Sequence, residues 1–332
     1  MNKVSWGILG TGNFAQQRFI PGLQGSAASE LRAIASRSLD KAQAAASRFG
    51  IPQAYGSYEE LLADPAIEVI YNPLPNDQHV PWTLRAAMAG KHVLCEKPVA
   101  LNAAQAAQLR EAAGKVHIME AFMVRFHPQW QRARELLQQG RIGTLRTVQV
   151  FFAYFNDKAE NIRNRADVGG GALYDIGCYA VVAGRFFHQA EPQRAIALID
   201  RDPAFKTDRN TSALVDFGAG RHLDFTVSTQ TAPYQRVQLC GTKGRIELLI
   251  PFNAPRDAAV RLHIDDASSL DGAGIASETL PVCDQYTLEA DAFSRAVRGE
   301  TLLPYGVDDA IANMRVLDAL FRSESSARWE PV

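Results

Sequence analysis

The stretch Val4-Ser5-Trp6-Gly7-Ile8-Leu9-Gly10-Thr11-Gly12-Asn13-Phe14-Ala15 decides the fold. Its first six residues read as a short strand buried on both faces, as in a parallel sheet, and the Gly-x-Gly-x-x-Ala after it leads into a helical segment. A glycine string alone carries little weight. Here a strand precedes it, a helix follows it, and a second strand candidate at 31–35 completes the unit. Gly10 permits the tight turn, Gly12 lets backbone amides approach a pyrophosphate, and Ala15 lets the helix pack close to the strand. The helix N-terminus adds unpaired N–H groups and partial positive charge. Gly10, Thr11, Gly12, Asn13 and Phe14 are thus expected to hold a dinucleotide.

The end of the second strand indicates which one. An Asp or Glu there binds the ribose hydroxyls of NAD, but this chain reads Ala33-Ile34-Ala35-Ser36-Arg37-Ser38. Ser36 and Ser38 can hydrogen-bond a 2′-phosphate, and Arg37 can pair with it and stack on adenine. NADP is expected, with NAD possible because enzymes of dual specificity also lack the acid.

Outward from this unit, apolar runs at 69–72, 93–95 and 117–121 alternate with helical segments, the rhythm of a doubly wound parallel sheet. Ser57-Tyr58-Glu59-Glu60 is a capping box, and Gly50 and Gly90 sit where helix C-caps belong. Pro128 opens one more helix to Gly140, after which longer alternating runs begin at 146–155, 213–217, 223–229, 236–240 and 245–250, joined by Gly-containing turns. The expected fold is α/β: an N-terminal Rossmann domain over 1–121 and a C-terminal α+β domain over 122–332 with a large, mostly antiparallel open sheet. Segments 288–297 and 307–322 read as amphipathic helices returning to cover the first domain.

Composition narrows the partners. The 332 residues carry 35 Lys and Arg against 36 Asp and Glu, a net charge of −1, so no field gathers nucleic acid or an anionic membrane. No apolar stretch approaches the roughly 18 to 20 residues that span a bilayer, and the N-terminus is unlike a secretory signal. Cys95, Cys178, Cys240 and Cys283 lie far apart without a C-x-x-C pair, and the seven histidines show no metal-ligand spacing. A cytoplasmic protein without a metal is expected.

Glu96-Lys97-Pro98 stands at the C-terminal end of a strand, the sheet edge where open α/β folds bind ligands, so Lys97 can reach a nicotinamide. Pro98 restricts Lys97 to extended backbone, and a cis bond there would aim the ammonium into the cleft. Downstream, Gly169-Gly170-Gly171-Ala172-Leu173-Tyr174-Asp175-Ile176-Gly177-Cys178-Tyr179 runs from a loop into a helix, with Asp175 and Tyr179 four apart on one face. Lys97, Asp175 and Tyr179 make a proton-transfer set.

These segments, with Glu120-Ala121-Phe122-Met123-Val124-Arg125-Phe126-His127-Pro128, together resemble the glucose-fructose oxidoreductase / inositol dehydrogenase / rhizopine-catabolism (Gfo/Idh/MocA) family over nearly the whole chain. The nearest branch is similar to the dimeric dihydrodiol dehydrogenases and NADP-dependent D-xylose dehydrogenases, which carry Tyr where many members end a D-x-x-x-H motif in His. Tyr179 follows that branch and argues against an inositol dehydrogenase. The resemblance implies that Lys97 hydrogen-bonds the reacting oxygen, that Tyr179 is the general acid/base and that Asp175 orients the substrate. It also implies that Pro73, Asn76 and His79 line the nicotinamide side, that Glu96 contacts cofactor, and that the chains associate as a homodimer or homotetramer through the open sheet face.

The chemistry asks for such groups. Removing hydride from an alcohol carbon makes its O–H far more acidic, so a base must accept the proton in step, and Lys97 near Tyr179 would lower the phenol's pKa and steady a developing alkoxide. The expected activity is hydride transfer between NADP(H) and a sugar, polyol or cyclic diol, first of all at an aldose anomeric carbon. Two alternatives use the same scaffold: a glycoside hydrolase with a tightly held nicotinamide, and a non-catalytic NADP-sensing regulator. Arg125, Arg163 and Arg165 read as loop arginines that are either solvated or in contact with substrate or phosphate. His127 before Pro128 reads either as lining the cleft or as merely ending the strand-to-helix turn, the second being preferred.

Overall fold

The computed structural model describes residues 3–332, which divide into two compact units, 3–123 with Asp284–Ile311 and Val124–Cys283 with Ala312–Val332. In the first, β1 (Val4–Leu9), β2 (Ser29–Ala35), β3 (Gln53–Tyr55), β4 (Val69–Asn72), β5 (His92–Glu96) and β6 (Ile118–Ala121) form a sheet in the order β3-β2-β1-β4-β5-β6. Every pair is parallel. The order reverses between β1 and β4, the switch point at which doubly wound sheets bind ligands. Strand β3 escapes a reading from alternation because it is three residues long and only partly covered.

The helix Gln285–Val297, within the 122–332 range of the sequence reading but expected there to return to the first domain, belongs to the first unit. The reason lies in β1, where Trp6 is fully buried and a buried indole needs both aromatic neighbours and an acceptor. Its ring lies 6.0 Å from Phe19 and 5.7 Å from Phe293, and its Nε1–H donates to Ser294 Oγ at 3.0 Å. Of the helix Val307–Ser326, residues 307–311 belong to the first unit and 312–326 to the second. Ser57 caps the helix Tyr58–Ala63 by accepting from Glu60 N, while Glu60 reaches back to Gly56 N at 3.0 Å, one residue beyond the reciprocal box.

The second unit carries β7 (Leu145–Phe155), β8 (Arg194–Arg201), β9 (Asp208–Asp216), β10 (His222–Ser228), β11 (Gln230–Gly241), β12 (Arg245–Leu249), β13 (Val260–Asp265), β14 (Ile275–Leu280) and β15 (Glu330–Pro331). Their order is β14-β13-β12-β11-β7-β10-β9-β8-β15, antiparallel except for the parallel pair β7 and β10. Alternation sets the faces: Leu223, Phe225 and Val227 of β10 are buried, and the helix Cys178–His188, buried along its whole length, packs on β7 and β10. The opposite face holds a groove of about 640 Å³ that includes Phe151, Ile196, Leu198, Leu214 and Arg236, with Leu198 79% exposed. Strand β14 is missed by alternation because five of its six residues lack full burial. No helix among the described residues is long and apolar enough to cross a membrane.

Candidate active site

The C-terminal ends of β1, β2, β4 and β5 bring Gly10, Ser36, Pro73 and Lys97 to one edge of the parallel sheet. Gly10 adopts φ +90°, a conformation strained for any residue with a Cβ, and its N–H bonds Ala35 O at 2.7 Å, joining the turn to β2. A Cβ on Gly12 would meet nothing within 4 Å, so this backbone opens onto free space. The helix starts at Asn13 and passes through a π-helical turn at Ala15–Phe19. At the β2 end Ser36 is buried and accepts from Ser38 N at 3.4 Å, whereas Arg37 is exposed. This donor set, two hydroxyls and a guanidinium with no carboxylate, fits a 2′-phosphate.

Lys97 follows β5 directly and the Lys97–Pro98 bond is cis. Beneath it, buried Glu96 accepts from the Tyr71 hydroxyl at 2.5 Å through Oε1 and from the Lys97 amide at 3.3 Å through Oε2. Tyr71 stacks on Phe19 at 3.5 Å, and burial together with Glu96 drives its hydroxyl far above the usual phenol range. The Glu96 carboxylate thus anchors the backbone of Lys97. Sequence reasoning missed Tyr71, which reads as one more apolar strand residue.

The loop after β4 is tied down in a similar way. Asn72, fully buried, donates to His79 O and Thr83 Oγ1 and accepts from Leu74 N. Asn76 begins the helix Asn76–Met88, while Pro73 and Asn76 remain partly exposed. His79 is 1% exposed, and its ring nitrogens lie 2.7 Å from Pro98 O and 2.7 Å from Leu74 O. Burial lowers its pKa to about 4, so at neutral pH the ring donates to one of these carbonyls. His79 is a strut between the Pro73–Pro75 loop and the Lys97–Pro98 turn, with its nitrogens occupied by protein.

In the second unit, a π-helical turn at Leu173–Gly177 carries Asp175 and continues into Cys178–His188, which carries Tyr179. The two residues lie on successive turns of one continuous helix. Asp175 Oδ2 accepts from the Tyr154 hydroxyl at 2.5 Å and from Arg163 Nε at 2.9 Å. Burial and then Asp175 push the Tyr154 phenol far above its usual range. Tyr179 is 5% exposed, with Phe252 at 5.6 Å and Phe152 at 6.1 Å between ring centroids. Arg163, one of the loop arginines in the sequence reading, is the ionic partner of Asp175, whereas Arg165 pairs with Asp167 at the surface. His127 caps the helix Pro128–Gln138 by accepting from Gln129 N and is held neutral by burial at about 4, as its reading as a turn residue implied. Among the described residues no group of three or more His, Cys, Asp or Glu could hold a metal, and the four cysteines form no disulfide.

Comparison with known proteins agrees with this architecture. The model of the oxidoreductase family with an NAD-binding Rossmann fold matches residues 4–125, and that of the GFO/IDH/MocA C-terminal domain matches residues 130–247. The chain is 38% identical to a D-xylose 1-dehydrogenase (NADP(+)) of Haloferax volcanii, over 96% of this chain and 97% of that one. It is 36% identical to trans-1,2-dihydrobenzene-1,2-diol dehydrogenase of Mus musculus over 74% of each. Among solved structures, the 3-ketoreductase KijD10 of Actinomadura kijaniata, in complex with NADP and TDP-benzene, superposes with a TM-score of 0.90 at 30% identity, covering 97% of this chain and 98% of that one. The chain therefore belongs to the Gfo/Idh/MocA family of oxidoreductases.

Proposed function

We propose that this oxidoreductase transfers hydride between NADP(H) and a hydroxyl-bearing carbon of a sugar, polyol or cyclic diol. The observation that carries the reading is the sharing of one sheet edge by the dinucleotide turn at Gly10 and by Lys97, in a chain whose relatives act on D-xylose, on a dihydrodiol and on a nucleotide-linked ketosugar. Gly10, Thr11, Gly12, Asn13 and Phe14 hold the pyrophosphate, while Ser36, Arg37 and Ser38 hold the 2′-phosphate. Pro73, Asn76 and the backbone around Glu96 and Lys97 shape the nicotinamide end, with His79 bracing both loops. When bound, the cofactor supplies or accepts the hydride.

The protein's own groups handle the proton and the charge. Lys97 presents a cation to the reacting oxygen, and Tyr179 takes the hydroxyl proton at its phenolic oxygen, or returns it in reduction. Phe152 and Phe252 keep water from the ring of Tyr179. Asp175, fixed by Tyr154 and Arg163, accepts a hydrogen bond from a neighbouring substrate hydroxyl and so sets which carbon reacts. The first unit is the cofactor domain, and the second binds substrate and joins subunits through the groove on its open sheet face, where Leu198 and Leu214 present apolar surface. In this reading the protein is cytoplasmic and assembles as a homodimer or homotetramer.

The test is reduced-nicotinamide absorbance with NADP+ or NAD+ and a panel of aldoses, inositols and dihydrodiols, repeated with Lys97→Ala and Tyr179→Phe. Reduction of NADP+ by one substrate class, lost in both variants, is expected. Cofactor binding without net reduction by any alcohol would overturn the reading.

A further inference from the structure

A buried carboxylate outside the set named so far holds the start of the helix that carries Asp175 and Tyr179. Asp208 opens β9 and is 1% exposed. Its Oδ2 accepts from Leu173 N at 2.7 Å, the first residue of the π-helical turn, and from Thr211 Oγ1 at 3.4 Å. The chain bends to admit it. Gly171 adopts φ +123°, and a Cβ there would sit 1.9 Å from Asp208 Oδ1, so the backbone can pass the carboxylate only without a side chain. From this bend the helix sets out directly, with Asp175 N bonded to Gly171 O at 3.0 Å. Two of its opening amides, those of Leu173 and Asp175, are thereby satisfied within one turn of the residue that orients substrate.

We propose that Asp208 is a positioning residue for the reaction, whose carboxylate fixes the π-helical turn at Leu173 and through it the placement of Asp175 and Tyr179. This rests on the roles given to Asp175 and Tyr179 above. The charge state of Asp208 then bears on the geometry, because an ionised carboxylate is a stronger acceptor for the Leu173 amide and complements the positive end of the helix. The groups around it do not neutralise it cheaply. The cation whose charge acts on it, Arg201 on β8, is engaged bidentately with Glu324 of the helix Val307–Ser326 at 2.6 Å for each bond. The phenols of Tyr174 and Tyr154 face it from the helix and from β7, with Asp318 beyond Tyr174, and Asp175 is committed to Tyr154 and Arg163. Burial accordingly raises the pKa of Asp208 to about 7, in spite of the Leu173 amide and Arg201.

Asp208→Asn keeps the shape and an acceptor oxygen but cannot ionise. Hydrogen exchange, read without substrate, should show the amides of residues 173–179 exchanging about tenfold faster in the variant while those of β10 stay unchanged, since one charge-assisted bond is weakened. Under turnover, wild-type kcat should rise through a group titrating near pH 7, and the variant should lose that limb and about tenfold in kcat, with KM for NADP+ unaltered. A purely structural role would not remove a pH limb. Equal exchange at 173–179, or an unchanged pH profile, overturns the proposal. If Asp208→Asn does not fold, Thr211→Val takes one donor from the same oxygen and is measured in the same way, with unchanged exchange again decisive against it. Wild-type protein inactive toward every alcohol would sink the roles of Asp175 and Tyr179, while exchange would still decide the role of Asp208.

Discussion

The second unit offers two tyrosines as proton carriers, and replacing each by phenylalanine separates them. Tyr154 donates to Asp175 Oδ2 at 2.5 Å, and this bond with burial holds its proton far more tightly than a free phenol does. A group so placed neither gives nor takes a proton between pH 5 and 10, so Tyr154 serves Asp175 and not the reacting oxygen. Losing a hydrogen bond to a charged group costs roughly 1.5–3 kcal/mol when the partner is left bare. Asp175 is not left bare, because Arg163 Nε stays at 2.9 Å and the pair is partly open to solvent, at 37% and 13% side-chain exposure. The cost therefore falls at the low end, near 1.4 kcal/mol, or about tenfold in kcat/KM. Removing a true general acid/base costs roughly 10² to 10⁴. Steady-state kinetics of Tyr154→Phe and Tyr179→Phe over pH 5 to 10 should thus give about a tenfold loss with an unchanged profile in the first, and a loss at least ten times larger in the second. Equal losses, or a larger one in Tyr154→Phe, would refute the assignment of the proton to Tyr179.

Acid should destabilise the protein steeply. His79, His127 and His188 are each held near 4 by burial against an ordinary 6.5, so their stabilisation is present above pH 6.5 and is lost as pH falls toward 4. Asp208, raised from 3.8 to about 7, runs the other way: its contribution is full below 3.8 and is lost as pH rises through 7. Together these groups make unfolding take up between about one and two protons, a slope of roughly 2 kcal/mol per pH unit between pH 6 and 4.5. A Tm that stays flat over that interval in scanning calorimetry would contradict the neutral histidines. Arg37→Glu should weaken NADP+ binding by roughly 10² or more by turning an ion pair into repulsion, with NAD+ much less affected, and equal effects on both cofactors in titration calorimetry would place the 2′-phosphate elsewhere. Ser57→Ala should cost about 1 kcal/mol in denaturant unfolding of the first unit, through loss of the cap on Glu60 N. A loss below a few tenths would show that solvent replaces that cap.

What was legible in the sequence is what local chemistry enforces. Gly10 and Gly12 had to follow a strand and start a helix, the missing acid beyond Ala35 had to mean a different ribose contact, and strand β1 and strand β4 were read to the residue because continuous apolar runs have no other use in a parallel sheet. The short β3 and the exposed β14 escape alternation because one is three residues long and the other scarcely buried, while the helix Gln285–Val297 is legible as a helix covering the first domain but not its anchor, the distant pair Ser294 and Trp6. The same division runs through the site. Lys97, Asp175 and Tyr179, the residues proposed for proton transfer, stand out by residue type beside a proline or at helical spacing. Tyr71, Tyr154, Arg163 and Asp208 do not, since a tyrosine in a strand and an acid at a strand start carry no mark of the carboxylate or amide they meet.

Those silent residues share one feature that ties fold to chemistry. Each hydrogen-bonds a residue proposed for the site or its neighbour in the chain: Tyr71 bonds Glu96, which holds the Lys97 amide, Tyr154 and Arg163 bond Asp175, and Asp208 bonds Leu173 at the helix start before Asp175. A charged side chain near developing charge accelerates a reaction only if it need not reorganise when that charge appears. The proposed groups sit on a loop end (Lys97), a π-helical turn (Asp175) and the helix that continues it (Tyr179), and the buried acceptors beneath the first two supply stiffness. Burial of Glu96 and Asp208, costly for isolated carboxyl groups, is offset in part by backbone amides: Lys97 N for the first and Leu173 N for the second, at the places where the proposed site must not move.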